Sequence, residues 1–234
     1  MLKTPQGTHK SVLIVGAGPG LSASLARLLA SNGMSVALAA RDPGKLKALS
    51  DETAAIALRC DAQDEAQVSA LFNDLDARDR SPDVVVYNAS ARARGPLVTL
   101  RPDDVRRSLL VSAYGAFLVA QAATARMLPR GFGAILFTGA SASVKGYAES
   151  APFAMGKFAL RGLAQSMARE LAPKGIHVAH FVIDGAIRHA EAMTSTPDSM
   201  LDPDAIAQTY LHVLMQPRSA WTWEVELRPW VERF

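Results

Sequence analysis

Residues 11–22 read SVLIVGAGPGLS and join an apolar run, a glycine-rich turn and the beginning of a helix. The apolar run over 11–15 is typical of a strand that is buried on both faces of a parallel sheet. Helix-forming residues follow over 23–32, up to the stop signal of Asn32 and Gly33. The stretch therefore predicts a strand, a turn and a helix, which together form the first unit of an α/β fold.

The same alternation of short apolar runs and helix-length stretches continues to the end of the chain. It predicts further strands over 35–40, near 56, over 83–87, 134–138 and 176–183, and near 223–227. Helices are predicted from 43, from 64, and over 103–128, 153–172 and 204–215. With no repeat or linker to divide it, the chain 1–234 is interpreted as one Rossmann domain, a doubly wound, seven-stranded parallel sheet with helices on both faces.

The least regular stretch of the sequence is 188–203, which follows the sixth predicted strand. Ligands of open α/β sheets bind beyond the carboxyl ends of the strands, and loops of this length are often functional. We therefore interpret 188–203 as a substrate lid, with a plain surface excursion as the alternative.

Composition limits the classes of function. The 234 residues are 49% hydrophobic and 20% charged, and no apolar run reaches the roughly 18 to 20 residues of a membrane-spanning helix. The N-terminal residues lack the apolar core of a secretion signal, and the single cysteine, Cys60, cannot form an internal disulfide, so a cytoplasmic location is expected. The 25 basic and 22 acidic residues are spread along the chain. This distribution allows a polyphosphate ligand and does not favour nucleic acid.

The glycine turn has a spacing that leaves several interpretations open. Gly16, Gly18 and Gly20 resemble the turn of a methyltransferase, whereas the fingerprint of long dehydrogenases and flavoproteins needs glycine where Leu21 stands. A third spacing has glycine at 16, 20 and 22. The first two positions match, and the third is the small residue Ser22. For a dinucleotide, the backbone amides and the helix N-terminus would hold the pyrophosphate; a tight turn without a ligand is the alternative.

The end of the second predicted strand narrows the choice of cofactor. It reads Ala39, Ala40 and Arg41, and alanine cannot accept protons from a free ribose diol. This disfavours adenosylmethionine, FAD and strict NAD binding, whereas Arg41 offers donors for a 2′-phosphate. We therefore predict NADP in preference to NAD. The alternative is a solvated arginine beside Asp42, which with Pro43 forms the predicted cap and first residue of the next helix.

The chain resembles the short-chain dehydrogenase/reductase family from Ser11 to about Leu227. The family's Asn-Ala-Gly segment reads here as residues 88–90, its helix motif is matched from Val111, and its Pro-Gly pair reads as residues 184–185. The resemblance implies NADP contacts from the following residues: Gly16, Gly18, Pro19, Gly20, Leu21, Arg41, Asp61, Ala62, Asn88, Ala89, Ser90, Val111, Lys157, Gly185 and Ile187.

The catalytic residues depart from the family pattern. The family's Tyr-x-x-x-Lys reads here as Phe153 to Lys157, and phenylalanine has no proton to donate. The family's serine position falls on Ala140, but a one-residue change in the loop would bring Ser141 there. Ser143 lies further along the same loop.

Three further positions bear on catalysis. The helix asparagine of the family is Ser112, and the threonine expected after Ile187 is His189. Tyr147, in the loop after the fifth strand, is a candidate substitute acid, whereas Tyr114 is interpreted as a core or interface residue.

The combination resembles a divergent subgroup of the family with phenylalanine in place of tyrosine. It implies an NADP-dependent oxidoreductase that acts on a small carbonyl compound, an alcohol or an activated alkene with an atypical catalytic set. The alternative is a protein that binds the cofactor without efficient catalysis, such as a sensor or a partner subunit.

Other signals concern metals and assembly. His177 and His180 lie three positions apart on a predicted strand and project to opposite faces, so no metal is predicted. Cys60 is interpreted as a small apolar filler. A stripe of small residues on the helix 103–128 permits close helix packing, and the family pairs this helix across a dimer axis. A homodimer or homotetramer built on the helices 103–128 and 153–172 is therefore predicted. The stripe consists of Ala113, Ala116, Ala120 and Ala123.

Overall fold

The computed structural model describes residues 9–189 and 198–231. All seven strands form one parallel sheet in the order β3-β2-β1-β4-β5-β6-β7. The predicted fold class is confirmed. The strands are β1 (Ser11–Val15), β2 (Ser35–Ala40), β3 (Ile56–Arg59), β4 (Val84–Tyr87), β5 (Gly133–Thr138), β6 (Ile176–Ile183) and β7 (Glu224–Leu227).

Helices cover both faces of the sheet. The first core packs α1, α2 and α7 on one face, and the second packs α3, α5 and α6 on the other. The helices are α1 (Leu21–Ser31), α2 (Lys47–Thr53), α3 (Glu65–Ala77), α4 (Pro102–Leu109), α5 (Gly115–Met127), α6 (Ala151–Leu171) and α7 (Pro203–Leu214).

Two aspartates begin helical segments. Asp42 accepts a hydrogen bond from the amide of Gly44 at 3.2 Å, and a 3₁₀ turn starts at Pro43 before α2, as the predicted cap requires. Asp64 accepts from the amide of Gln67 at 3.1 Å and caps α3. Asp61 lies between the end of β3 and this cap.

The long predicted helix is interrupted by a π turn. Helices α4 and α5 are joined by the π-helical turn Leu110–Tyr114, and a 3₁₀ turn follows α5. Within the described part of the chain, Pro102–Arg130 is the one helix long and apolar enough to cross a membrane by composition, although core helices pass the same test. This corrects the expectation that no stretch reaches membrane length. Ala116 and Ala120 on this helix are buried against the sheet, as in a core helix.

Three of the four alanines in the stripe belong to the core of the single chain, and Ala113 is half-buried. Ala116, Ala120 and Ala123 are fully buried and pack with side chains of β4 and β5. Small side chains here let the helix approach its own sheet closely. The interpretation of this stripe as a subunit contact is therefore wrong. The same pattern of small residues also occurs where a helix packs on a sheet.

The predicted lid lies mostly outside the described residues, which omit 190–197. Its base is held by backbone pairing, since Arg188 N donates to Leu201 O and Leu201 N donates to Ala186 O, both at 2.8 Å. Ile187 and Leu201 form the corresponding β-bridge. The two ends of the segment thus meet at the carboxyl end of β6.

Candidate functional site

The strand order reverses between β1 and β4, and two adjoining cavities open beyond the carboxyl ends of these strands. Their volumes are about 520 and 800 Å³. Both are lined by Asn88, Ser90 and Arg92, so they form one continuous groove. A crevice at this reversal is where ligands bind in doubly wound sheets. We call them the first and second cavity.

The glycine turn lies in the first cavity and is held from below by the end of β4. Gly16 has a φ of 82°, and a Cβ there would lie 2.4 Å from the amide nitrogen of Ala89. Ser22 Oγ donates to the carbonyl of Gly16 at 3.2 Å, and Asn88 Nδ2 donates to Ser22 Oγ at 2.7 Å. The small residue at position 22 therefore fixes the turn against the Asn88 segment.

The same turn has room for a phosphate group. A Cβ on Gly18 or on Gly20 would meet no heavy atom within 4 Å, so the space above both residues is open. Helix α1 begins directly after Gly20 without a side-chain cap. Free amides at a helix N-terminus attract anions. The residues present therefore fit the pyrophosphate of a dinucleotide.

Gly16→Ala and Gly18→Ala are expected to fail in different ways. At Gly16 the new Cβ meets backbone at a left-handed φ, so the free energy of unfolding should fall by at least about 2 kcal/mol. At Gly18 the Cβ enters open space, so folding should change by less than about 1 kcal/mol while NADPH binding weakens at least about tenfold. Urea unfolding and fluorescence titration with NADPH measure the two effects. A stable Gly16→Ala protein would contradict the close approach to Ala89.

The far end of the first cavity carries basic groups. Arg41 and Lys45 are exposed and line it, and Lys45 Nζ lies 3.8 Å from the Asp42 carboxylate. In the part of the chain that the structure describes, no ion pair involves Arg41. This leaves the guanidinium available to a second anion.

Residues after β3 and on the π turn form another side of the first cavity, where the sequence predicts an adenine contact. Asp61 and Ala62 line it, and the Asp61 carboxylate accepts hydrogen bonds from the amide and the side chain of Gln63 at 3.3 and 3.1 Å. Val111 lines the opposite side, and its carbonyl accepts from the Tyr87 hydroxyl. Cys60 is buried, and burial raises the pKa of its thiol to about 11, as expected for an inert filler.

Phe153 and Lys157 lie one helical turn apart on α6 and line the second cavity. Lys157 is almost fully buried, and its Nζ donates to the carbonyl of Thr138 at 2.6 Å. Burial, with a smaller contribution from Arg92, lowers the pKa of Lys157 to about 7. Its Nζ lies 5.8 Å from the centroid of the Phe153 ring.

The three candidate serines have different positions. Ser141 is half-buried and lines the second cavity. Ser143 is fully buried and accepts a hydrogen bond from the amide of Ala140 at 3.1 Å. Ser112 is also fully buried, and its hydroxyl accepts from the amide of Ala91 at 3.3 Å. Ser141 is therefore placed to meet a substrate, whereas Ser112 supports the loop after β4 from behind.

Tyr147 lines the second cavity and is 49% exposed. Lys145 lies beside it, with Nζ 5.8 Å from the Tyr147 ring centroid and 3.3 Å from the Asp184 carboxylate. Hydrogen bonds to Tyr147 and Asp184 raise the pKa of Lys145. The sequence analysis missed this lysine, although its place two residues before Tyr147 was a visible signal.

The loop after β6 closes the second cavity. Gly185 has a φ of 149°, and a Cβ there would lie 3.0 Å from Pro229 Cδ, so glycine is required. Ile187 and His189 line the cavity beside it. Leu21, at the beginning of α1, lines the same cavity. The predicted nicotinamide contacts are thus brought together with Phe153.

Two arginines that the sequence analysis missed also line the second cavity. Arg92 and Arg94 follow the Asn88 segment, and the Arg92 guanidinium carbon lies 4.1 Å from the centroid of the Phe153 ring. Burial and the neighbouring charge of Arg94 lower the pKa of Arg92. The alternation of alanine and arginine over 91–94 was the available signal.

A charged network joins α6 to β6 and β7. Arg161 donates to both carboxylate oxygens of Glu224 at 2.6 and 2.7 Å, and His180 Nδ1 lies 3.0 Å from the same carboxylate. Burial lowers the pKa of His180 to about 4, so the imidazole is neutral at neutral pH. His177 pairs instead with the carbonyl of Thr222 at 2.8 Å. The two histidines thus serve separate contacts.

Known proteins resemble this chain over most of its length. The family model described as short chain dehydrogenase matches residues 10–198. A 3-oxoacyl-(acyl-carrier-protein) reductase, MabA of Mycobacterium tuberculosis, is 30% identical over 183 residues, which cover 78% of this chain and 71% of the relative.

Solved structures show the same likeness. A short-chain dehydrogenase from Rhodopseudomonas palustris has 34% identity and a TM-score of 0.82, covering 96% of this chain and 100% of its own. A metagenomic short-chain oxidoreductase in complex with NADP has 26% identity and a TM-score of 0.83, covering 95% of this chain and 98% of its own.

Proposed function

Because the chain belongs to the short-chain dehydrogenase family, whose members are oxidoreductases, we propose that it transfers hydride between NADP and a small carbonyl compound, alcohol or activated alkene. The observation that carries the proposal is the continuous groove that runs from Arg41, past the glycine turn, to Lys157. We further propose that the chain represents a subgroup in which Phe153 replaces the usual tyrosine.

When bound, NADPH supplies the hydride that adds to the carbonyl carbon. The electron pair of the C=O bond then moves to oxygen, which needs a proton. Phe153 has none to give, so the Tyr147 hydroxyl donates it and the product leaves as an alcohol. The Lys145 ammonium stabilises the phenolate, which regains a proton from water at its exposed side.

Other side chains of the groove bind and orient. Ser141 donates a hydrogen bond to the substrate carbonyl oxygen and so favours charge on it. Lys157, fixed by the Thr138 carbonyl, holds the ribose end of the cofactor beside Phe153. The first cavity holds the phosphates and the adenine through the glycine turn and Asp61.

A screen of NADPH oxidation against ketones, aldehydes and activated alkenes tests the proposal. Turnover that is lost in Lys157→Met supports it. If the protein binds NADPH without turnover of any compound, the competing function, a cofactor-binding sensor or partner subunit, is the better description. This alternative is favoured by the phenylalanine at position 153, which cannot donate a proton.

NADPH is expected to bind about ten- to a hundredfold more tightly than NADH, because Arg41 forms charge-assisted hydrogen bonds worth about 1.5 to 3 kcal/mol with the 2′-phosphate. Arg41→Ala should remove most of this preference. Titration of both cofactors measures it, with Arg59→Ala, an exposed arginine on neighbouring β3, as the control. Equal affinities of the wild-type protein for the two cofactors would refute the preference.

We also propose a cytoplasmic homodimer or homotetramer. Exposed apolar side chains support an interface on the predicted helices, with Tyr114 and Phe117 on the π turn and α5, and Met155 and Phe158 on α6. Light scattering at micromolar concentration is expected to show a dimer or tetramer, and Phe117→Glu with Phe158→Glu should shift it toward monomer. A monomeric wild-type protein would contradict the proposal.

A further inference from the structure

Arg92 and Arg94 give the second cavity an unusual charge. Both side chains line it, beside Phe153 and Lys157. Within residues 9–189 and 198–231, neither arginine forms an ion pair with a carboxylate. Both residues are exposed to solvent, and, besides partial burial, the charge of Arg94 contributes to the lowered pKa of Arg92. An anion that binds between them would relieve this repulsion.

The remaining charges around this cavity are mostly paired with each other. Arg188 is paired with Asp202, and the Asp184 carboxylate lies 3.3 Å from both Lys145 Nζ and an Arg228 nitrogen. Glu149 lines the cavity as its other carboxylate. After these pairings, Arg92 and Arg94 face one acidic side chain, so the cavity has an excess of positive charge.

The Phe153 ring contributes to the position of Arg92. The Arg92 guanidinium lies over the face of Phe153 at 4.1 Å, where the ring attracts it through a cation–π interaction. A guanidinium held over a ring face still has N–H groups free to donate. This arrangement suits the two oxygens of a carboxylate, which arginine binds in a bidentate manner.

We propose that Arg92 and Arg94 form a recognition site for a carboxylate on the substrate, and that the compounds reduced here are keto acids or aldehyde acids. The identity of the reaction rests on the proposed function, whereas the anion site does not. Arg92 also lines the first cavity, where a cofactor phosphate would compete for it, so Arg94 is the more specific probe.

Binding of oxamate, an unreactive analogue of a keto acid, tests the site without turnover. Calorimetry on the protein saturated with NADP⁺ compares oxamate with oxamide, its uncharged counterpart. Oxamate is expected to bind at least about tenfold more tightly than oxamide. Arg94→Gln and Arg92→Gln should each remove most of that difference, and Arg101→Gln, an exposed arginine beside Asp104 outside the cavity, should leave it intact.

A kinetic comparison extends the test to substrates. Wild-type kcat/KM with NADPH is expected to favour a keto acid over its methyl ester at least about tenfold, and Arg94→Gln should reduce the ratio below about threefold. Titration with NADPH, which should be unaffected in Arg94→Gln, separates a substrate role from a cofactor role.

The outcomes distinguish the two proposals. Arginine-dependent binding of oxamate without any turnover would preserve the anion site and overturn the proposed reaction. Equal binding of oxamate and oxamide, or oxamate binding that survives both substitutions, would overturn the anion site whatever the activity. If Arg94→Gln lost as much affinity for NADPH as for oxamate, the two arginines would be assigned to the cofactor. This result would also overturn the anion site.

Discussion

Replacing Tyr147 with phenylalanine is expected to lower kcat/KM for carbonyl reduction about 10²-fold, since a positioned proton donor contributes about 10² to 10⁴ in rate. Tyr147 lines the second cavity beside Lys145, whereas α6 offers Phe153 in the place of the usual phenol. The substitution removes one hydroxyl from a half-exposed ring, so folding should hardly change. Steady-state kinetics with NADPH and the best ketone of the screen measure the effect.

Tyr114→Phe is the matched control for this substitution. Tyr114 has a similar exposure, 42% against 49% for Tyr147, and its ring stacks on Phe117 at 6.2 Å between centroids. It should retain wild-type kcat/KM. NADPH affinity should be the same in both variants. An unchanged rate in Tyr147→Phe would show that another group, with Ser141 as the next candidate, supplies the proton.

Phe153→Tyr is expected to raise the rate of ketone reduction by NADPH at least about tenfold. The Phe153 ring is 6% exposed and lines the second cavity, and Lys157 Nζ lies 5.8 Å from its centroid. A phenol on this helix would be held more rigidly than Tyr147 on its loop. The neighbouring Lys157 would stabilise the phenolate when charged. The double variant Tyr147→Phe, Phe153→Tyr should recover the rate that Tyr147→Phe loses.

The added hydroxyl brings a risk of overpacking, because Phe153 packs on Ala140 and Ala142. The melting temperature and the NADPH affinity of Phe153→Tyr should therefore be measured with its rate. Phe158→Tyr, at a 45% exposed ring on the same helix, controls for the added phenol. A wild-type protein that already reduces ketones rapidly, together with a Phe153→Tyr variant that gains nothing, would show that the phenylalanine at position 153 does not limit the rate.

The strands of this fold follow from the sequence with small errors. Ser11–Val15, Ser35–Ala40 and Ile176–Ile183 have the predicted bounds, because each is an apolar run that ends at a turn signal. Near Trp223 the prediction begins one residue early, since β7 starts at Glu224 on the sheet edge. Edge strands are less completely buried, and their sequence pattern is correspondingly weaker.

The candidate site was only partly predictable. Gly16 and Ser22 lie in a strand, turn and helix that the sequence predicts, so the position of the first cavity follows from the sequence. The stacking of Arg92 on Phe153 and the pairing of Lys145 with Tyr147 and Asp184 depend on how loops from β4, β5 and β6 meet. Sequence spacing shows that Lys145 is near Tyr147 in the chain, but it holds no information on contacts between loops that follow different strands.

The π turn of residues 110–114 determines what a one-residue deletion would do to this protein. From Ser108 to Ala116 a regular α-helix, at about 100° per residue, would rotate about 80° beyond two full turns. The extra residue of a π turn offsets about 100° of this, so both residues, each fully buried, keep within about 20° of one direction. A homologue that lacks one residue here would have to turn either α4 or α5 away from its packing. Alignments that place a gap in this turn therefore indicate a change of site geometry, whereas gaps in surface loops do not.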